Sequence, residues 1–514
     1  MQDHRPVNMP ENAVAVIGAG PGGLVASRWL SAHGLVPTIM EASPRLGGQW
    51  HSASAASATW PGMRTNTSRV MTAFSDLDHP QGTPTYVQQE EMLNYLERYA
   101  STLGLLPHLR LNNRVERLRQ TAEGTWLIRS ISDEGTRAEI FRQVVIATGR
   151  HNLPQVPEIP GLSSFDGALG VAHTAQYAGA ERYRGRKVVV AGCSISALEI
   201  ASDLALGGAR EVVSTNHRQR YILPKLIAGV PTDHLMFTRA AALLGEVLPP
   251  EELAAGMKST VVKAAGRPDQ FGAPAAAENI FAAGISQSQH FLSAVAEGRI
   301  TMRPWIERIE GRTVRFSDGS AFEADGLLFG TGYRLSLPWL HKEIAETIGH
   351  DGSHLDLHDQ TFHPDLPGLA FLGLYDLIGP YFPVLELQAR WIAYCLAGRL
   401  PLPSPEVMRA GVEKARAMRS GPPSLPMHVA ALIFARNAGV EPDVDQWPEL
   451  ERSLLFGPLS PVSFRLRGLD AQPDAPATVL AAAAAFGAIE DNRFTPEEEA
   501  LWRLVSPRAA LTAA

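Results

Sequence analysis

The stretch from Val14 to Trp50 constrains this chain more than any other part of it. Four apolar residues, Val14 to Ile17, run straight into Gly18-Ala19-Gly20-Pro21-Gly22-Gly23. A helical pattern with Leu24 and Leu30 follows, and a second apolar run, Val36 to Met40, ends on Glu41. That order is a buried strand, a glycine-rich turn, a helix and a strand ending in an acid, which is how a dinucleotide is held. Gly18 permits the tight turn, Gly20 lets the backbone approach a pyrophosphate, and Gly23 lets helix and strand pack closely. With Pro21 and Gly22 they open a helix whose free amides and positive dipole end suit phosphate. Glu41 is placed to accept hydrogen bonds from a ribose.

A second strand–turn–helix unit begins at Lys187 and passes through Gly192-Cys193-Ser194-Ile195-Ser196-Ala197. Its next strand, Glu211 to Thr215, leads to Arg218 and Arg220, where arginines in place of an acid suit a 2′-phosphate. Twice a buried strand ends on Thr-Gly, at Thr148-Gly149 and at Thr331-Gly332. Between the units lies a proline-rich connector, Leu153 to Gly161, that marks a domain crossing. The spacing predicts an amphipathic helix from Glu90 to Leu105, β-hairpins from Leu109 to Ile140 and a hairpin turn at Asp318-Gly319. Tyr221 to Ser293 shows helical patches without a decisive motif. Pro401 to Ala514 reads as a mostly helical cap, with Val479 to Ile489 a buried helix too short to span a bilayer.

At 514 residues the chain needs two or three domains. A net charge of −7 without a basic block gives no support to nucleic acid or a membrane surface as partner. Only two cysteines, Cys193 and Cys395, are present, so neither a disulfide framework nor a CxxC pair can form. That count also argues against a flavoprotein disulfide reductase. No metal site is expected. The N-terminus has no apolar segment before a cleavage site, and a soluble cytoplasmic protein is expected.

Taken together, the motifs resemble the flavin-containing monooxygenases, relatives of the Baeyer–Villiger monooxygenases. The resemblance rests on the first glycine turn, Gly47-Gly48-Gln49-Trp50, Arg64-Thr65-Asn66-Thr67-Ser68 and Phe74-Ser75-Asp76. It continues through Ala147-Thr148-Gly149, His173 to Tyr177, Gly332-Tyr333, Gln388-Ala389-Arg390-Trp391 and Phe464 to Gly468. It implies an α/β fold of two Rossmann-like domains, with an NADPH domain (166–325) inserted into a split FAD domain (1–165 and 326–514) that ends in the helical cap. It implies FAD and NADPH as cofactors, and a small molecule and molecular oxygen as reactants. By the resemblance, NADPH is expected to reduce FAD, oxygen to add to the reduced flavin as a 4a-hydroperoxide, and a nucleophilic nitrogen or sulfur to take one oxygen atom. Asn66 is implied at the flavin's reactive edge. Gly48, Gln49, Trp50, Thr65, Thr148, Gly149, Gly192, Ser194, Ser196, Thr331, Gly332 and Gln388 are implied as cofactor contacts. His173 is read as structural, and a homodimer is one reading of the oligomeric state.

Two positions depart from the family pattern. Gly167 and His173 are separated by a loop two residues longer, and Ser194 and Ala197 stand where glycines are usual. An NADPH-independent flavoprotein therefore stays open as an alternative. So does a Baeyer–Villiger enzyme acting on a ketone, which the Trp60-Pro61-Gly62 turn resembles. The loop His51 to Thr59, the region Tyr221 to Gln289 and the cap are the expected sources of substrate-pocket residues.

Overall fold

The computed structural model describes residues 6–52, 57–421 and 424–505. The first unit opens with β1 (Ala13–Ile17), α1 (Pro21–Ala32) and β2 (Val36–Met40). Every residue of β1 is buried, as befits a strand covered on both faces of a parallel sheet. Next come α2 (Gln89–Thr102), buried along Met92, Leu93, Leu96 and Tyr99, and the edge strand β3 (Leu109–Arg110). β4 (Arg114–Gln120), β5 (Trp126–Ser132) and β6 (Gly135–Phe141) form antiparallel hairpins. β7 (Gln143–Ile146) then returns to pair with β1.

The second unit begins with β8 (Gly170–His173), β9 (Lys187–Ala191), α3 (Ile195–Leu206) and β10 (Glu211–Thr215). A helical excursion follows, with α4 (Thr232–Met236), α5 (Arg239–Val247) and α6 (Pro250–Ala265). β11 (Ile300–Arg303) and β12 (Gly326–Phe329) complete a parallel sheet of order β8-β12-β9-β10-β11. The expected boundary at residue 325 is therefore early. The buried run of β12 fills the gap between β8 and β9, and the chain leaves this sheet only after Phe329. β13 (Leu369–Phe371) then pairs with β7 and closes the first sheet in the order β13-β7-β1-β2-β3. One parallel sheet is thus inserted in the sequence of another.

α7 (Phe382–Leu396) is buried along its whole length and packs on α1. Beneath it lies a knot of buried charge around Trp29. The guanidinium groups of Arg28, Arg390 and Arg465 lie 4.9, 5.1 and 4.9 Å from its ring centroid. Arg28 pairs with Asp76 at 3.1 Å, and Arg465 donates to the Ser75 hydroxyl at 3.1 Å. Glu386 of α7 accepts from the Ser75 amide at 2.8 Å. Two motifs of the sequence, Phe74-Ser75-Asp76 and Phe464-Arg465, are therefore one structural clamp and lie outside the cleft.

The cap is helical, but the alanine-rich segment is not the buried helix expected. Its helix spans Ala475–Ala484 and buries one face through Val479 and Ala483, while Leu480 stays 44% exposed. Part of the loop His51 to Thr59 (residues 53–56) and the end of the cap (506–514) lie outside the described residues. Among the described residues no helix is long and apolar enough to cross a membrane.

Candidate active site

A cleft of about 2410 Å³ runs between the two sheets, past the C-terminal ends of β1 and β9. That is where ligands sit in open parallel sheets. At one end is the first glycine turn, and each of its glycines has its own reason. A Cβ on Gly18 (φ +106°) would fall 2.6 Å from the Ala147 carbonyl oxygen, and one on Gly23 would fall 1.8 Å from that of Gly18. Neither position can carry a side chain. Gly20 differs, because its nearest neighbour would be Gly48 Cα at 3.6 Å, an ordinary contact. Protein packing alone does not require glycine there, so Gly20 and Gly48 together leave a bare backbone cradle facing the cleft.

The surrounding polar groups match that cradle. Glu41 is buried, and its carboxylate accepts from the amides of Ala19 and Ser43, both at 2.8 Å. Those bonds fix its orientation and leave lone pairs for ribose hydroxyls. The Thr148 hydroxyl, the Trp50 indole nitrogen and Asn113 Oδ1 line the cleft, buried and without hydrogen-bond partners. Buried polar atoms are rarely left unpaired, so this cluster calls for a polar ligand. A flavin adenine dinucleotide fits it. Asn113 carried no motif in the sequence. Only its place just after the β3 edge, with its amide on the Glu41 carbonyl at 2.8 Å, brings it to the site.

The second turn is assembled differently. Gly192 (φ +131°) could not carry a Cβ, which would lie 2.4 Å from the Gly330 carbonyl oxygen. Ala197 is tolerated because its partner is Gly330, where an added Cβ would come within 2.7 Å of the alanine methyl. Ser194 precedes α3 in extended conformation and reaches the Gly330 carbonyl at 3.4 Å; with Ser196, Gly149 and Gln49 it lines the cleft. Arg218 is exposed and donates to the Ala282 carbonyl at 2.8 Å. Arg220 also lines the cleft, and among the described residues its guanidinium has no hydrogen bond or ion pair. Burial pulls its pKa down, and the fields of Cys193 and Asp376 only partly offset it. The lengthened loop after Gly167 runs into β8, away from the cleft.

Gln388 and Thr331 both spend side-chain polar atoms inside the protein, although Thr331 still lines the cleft. Gln388 is fully buried and does not line the cleft. Its Oε1 accepts from the Gly373 amide and the Tyr375 hydroxyl, and its Nε2 donates to Gln360, Thr361 and Phe371. With its amide used up inside the protein, it steadies Gly373. The Thr331 hydroxyl is bonded to the Gln155 carbonyl. His173 joins the two units, with Nδ1 accepting from Ala175 and Nε2 on the Gly332 carbonyl at 3.1 Å. Burial lowers its pKa, so it is neutral.

Asn66 lies on a loop pinned from both sides. The Thr65 amide bonds the Val87 carbonyl at 2.8 Å, and the Thr65 hydroxyl donates to Thr67 and accepts from Val87. The Ser68 amide bonds Asp233 Oδ2 at 2.7 Å. Asn66 lines the cleft between these anchors, and among the described residues its amide has no hydrogen-bond partner. The self-satisfied turn asparagine that sequence alone would allow is not what the loop contains.

A family profile described as flavin-binding monooxygenase-like matches residues 11–499. The chain belongs to that family. Among curated proteins, this monooxygenase is 27% identical to dimethylaniline monooxygenase [N-oxide-forming] 2 of Rattus norvegicus, over 88% of each chain. Among solved structures it resembles S-allyl-L-cysteine S-oxygenase from Allium sativum, with TM-score 0.62 and 25% identity over 83% of this chain and 88% of that one. It shares its fold with ε-caprolactone-bound cyclohexanone monooxygenase, with TM-score 0.64 and 17% identity over 83% and 98%. FAD, with NADPH as reductant, follows from that membership, and this monooxygenase is an FAD-dependent oxidoreductase.

Proposed function

We propose that this monooxygenase uses NADPH and molecular oxygen to place one oxygen atom on a nucleophilic nitrogen or sulfur of a small molecule. The observation that carries the reading is the unpartnered Asn66 amide, held in the cleft between the two glycine turns by a pinned loop. FAD held there would supply the redox chemistry, hydride acceptance from NADPH and activation of oxygen, with the second oxygen atom released as water. The chain's own residues do the rest. Gly20 and Gly48 leave room for the pyrophosphate, Glu41 holds the ribose, and Arg220, with Arg218, meets the 2′-phosphate of NADPH. Asn66 donates and accepts at the reacting edge, where a charged group would cost several kcal/mol to desolvate. The activities for which these relatives are named, N-oxide formation and S-oxygenation, support nitrogen or sulfur over a ketone carbon. The cyclohexanone monooxygenase likeness is one of fold.

Asn66→Ala decides it. The variant keeps FAD and is reduced by NADPH at the wild-type rate, but product falls by roughly a hundredfold and hydrogen peroxide replaces it. Asn66→Asp is at least as damaging, because a carboxylate has no donor. Product formation is followed on a thioether, a tertiary amine and a cyclic ketone in parallel. Wild-type coupling in Asn66→Ala, or turnover of the ketone alone, would sink the reading.

A further inference from the structure

Asp233 opens α4, in a segment that carried no motif, and its carboxylate faces two ways. Oδ2 accepts from the Ser68 amide at 2.7 Å, two residues beyond Asn66. Oδ1 is buried without a hydrogen-bond partner, and Asp233 lines the cleft. The residue is 2% exposed and has no ion pair among the described residues. The Ser68 hydroxyl and the amides of Asp233 and His234 also favour the charged carboxylate, yet none of them makes a hydrogen bond to Oδ1.

The protein's own nearby donors are committed elsewhere. His234 places Nε2 on the Ser68 hydroxyl at 3.1 Å, and burial keeps the ring neutral. The Tyr86 hydroxyl donates to the Lys225 carbonyl, and the Lys225 ammonium is held by Glu199 at 2.8 Å. Glu246 and Asp376, acids of the same cleft, likewise have partners, in the Arg436 guanidinium and the Ser424 hydroxyl. Asp233 Oδ1 has none. A buried carboxylate oxygen without a donor is costly, and a ligand in the cleft can supply what the chain does not.

We propose that Asp233 is a specificity-determining residue: Oδ2 holds the Asn66 loop in place while Oδ1 anchors a substrate's ammonium group. Asn66 and Ser68 are at most about 7 Å apart along the chain. A small molecule can therefore reach both Asp233 and the reacting edge, with its apolar middle on Met236 and Phe237. A nitrogen held as ammonium has no lone pair to give, so the oxygen goes to a second atom. The substrate class is a short cation with a thioether sulfur or a second, unprotonated amine several bonds from the charge. This deepens the oxygenation reading and rests on it.

Two molecules of nearly the same shape test it: methylthioethylamine, which is cationic, and methyl propyl sulfide, which is neutral. Each is titrated into oxidised FAD-loaded enzyme by flavin absorbance, and each is then turned over with NADPH. Wild type binds the cation roughly ten- to hundredfold more tightly. In Asp233→Asn the amide oxygen still accepts from Ser68 while the NH₂ faces the cleft, so the preference disappears. The ratio is internal to each variant, which cancels any general loss of activity. Equal wild-type affinities overturn the proposal without any variant, and so does a preference that survives in Asp233→Asn. Selective binding with no oxygenated product leaves the anchor standing and removes the oxygenation reading instead.

Discussion

The two glycine turns of this monooxygenase answer one problem with different residues. In the first, Gly18 and Gly23 are demanded by backbone contacts within the turn and its sheet, and Gly20 is left to the ligand. In the second, the tightness is shared with the end of the neighbouring strand β12, where Gly330 gives up its Cβ so that Ala197 can keep one. The first turn keeps its own glycine, Gly23, at the close approach of helix and turn, although its Gly18 is set by Ala147 at the end of a neighbouring strand. The second is complete only together with the segment after β12, some 130 residues away. A motif can therefore look degraded in sequence while its geometry is kept by a partner that the motif does not include.

The sharpest way to break this comparison is to add one methyl to each turn. Gly23→Ala drives a Cβ into a carbonyl with no room to move and costs more than about 3 kcal/mol. Little yellow protein should be recovered. Gly330→Ala meets the Ala197 methyl, costs about 1–3 kcal/mol and should leave FAD bound while NADP⁺ binding falls. Equal effects on the two cofactors would show that the turns do not act separately.

The seam between the units can be read by pH. Burial raises Asp233 from 3.8 to about 6 and lowers His234 from 6.5 to about 4. As pH rises from about 4 to 6, the unfolded Asp233 gives up its proton before the folded one, which weakens folding by about 3 kcal/mol. Over the same range the unfolded His234 loses the cost-free charge that the folded state refuses, which strengthens folding by about as much. In wild type the two slopes nearly cancel. Relative to wild type, Asp233→Asn should therefore gain stability as pH rises through this window, and His234→Gln should lose it, in urea melts with FAD in excess. Parallel profiles would mean that neither group is buried as described.

Smaller effects distinguish the charged ends. Glu41→Ala should weaken FAD, and Arg220→Ala NADPH, each by about 1.5–3 kcal/mol. Arg220→Ala should lower the NADPH/NADH preference more than Arg218→Ala, because the Arg218 guanidinium is already engaged by the Ala282 carbonyl. An unchanged preference in the double variant would take both arginines out of the site. Smallest of all, Ser194→Gly should tighten NADPH by no more than about 1 kcal/mol, since its hydroxyl makes only a 3.4 Å contact.

Legibility in the sequence followed how local each cause was. The first turn, its two strands and Glu41 are contiguous, and every one sits where periodicity placed it. The end of the inserted sheet was misplaced because strand pairing, which apolar runs do not encode, decides where β12 belongs. Gln388 belongs to a recognisable motif, yet only its five partners reveal that its amide is used up inside the protein. Asn113 and Asp233 are ordinary polar residues in sequence. What singles them out is an unpaired oxygen beside a cleft, which exists only after folding.

The clamp around Trp29 bears on the order in which the chain can be made. Asp76 and Glu386 are buried acids whose neighbour Arg465 is translated last. While the ribosome is still short of that residue, Asp76 has only Arg28 and Glu386 only Arg390 to face, and the first nucleotide-binding unit lacks the cation that joins the two acids. An insert that forms its own sheet can mature in the meantime. The nascent enzyme should thus be competent for the nicotinamide nucleotide before it can retain the flavin, and premature stop codons just ahead of Arg465 should yield colourless protein.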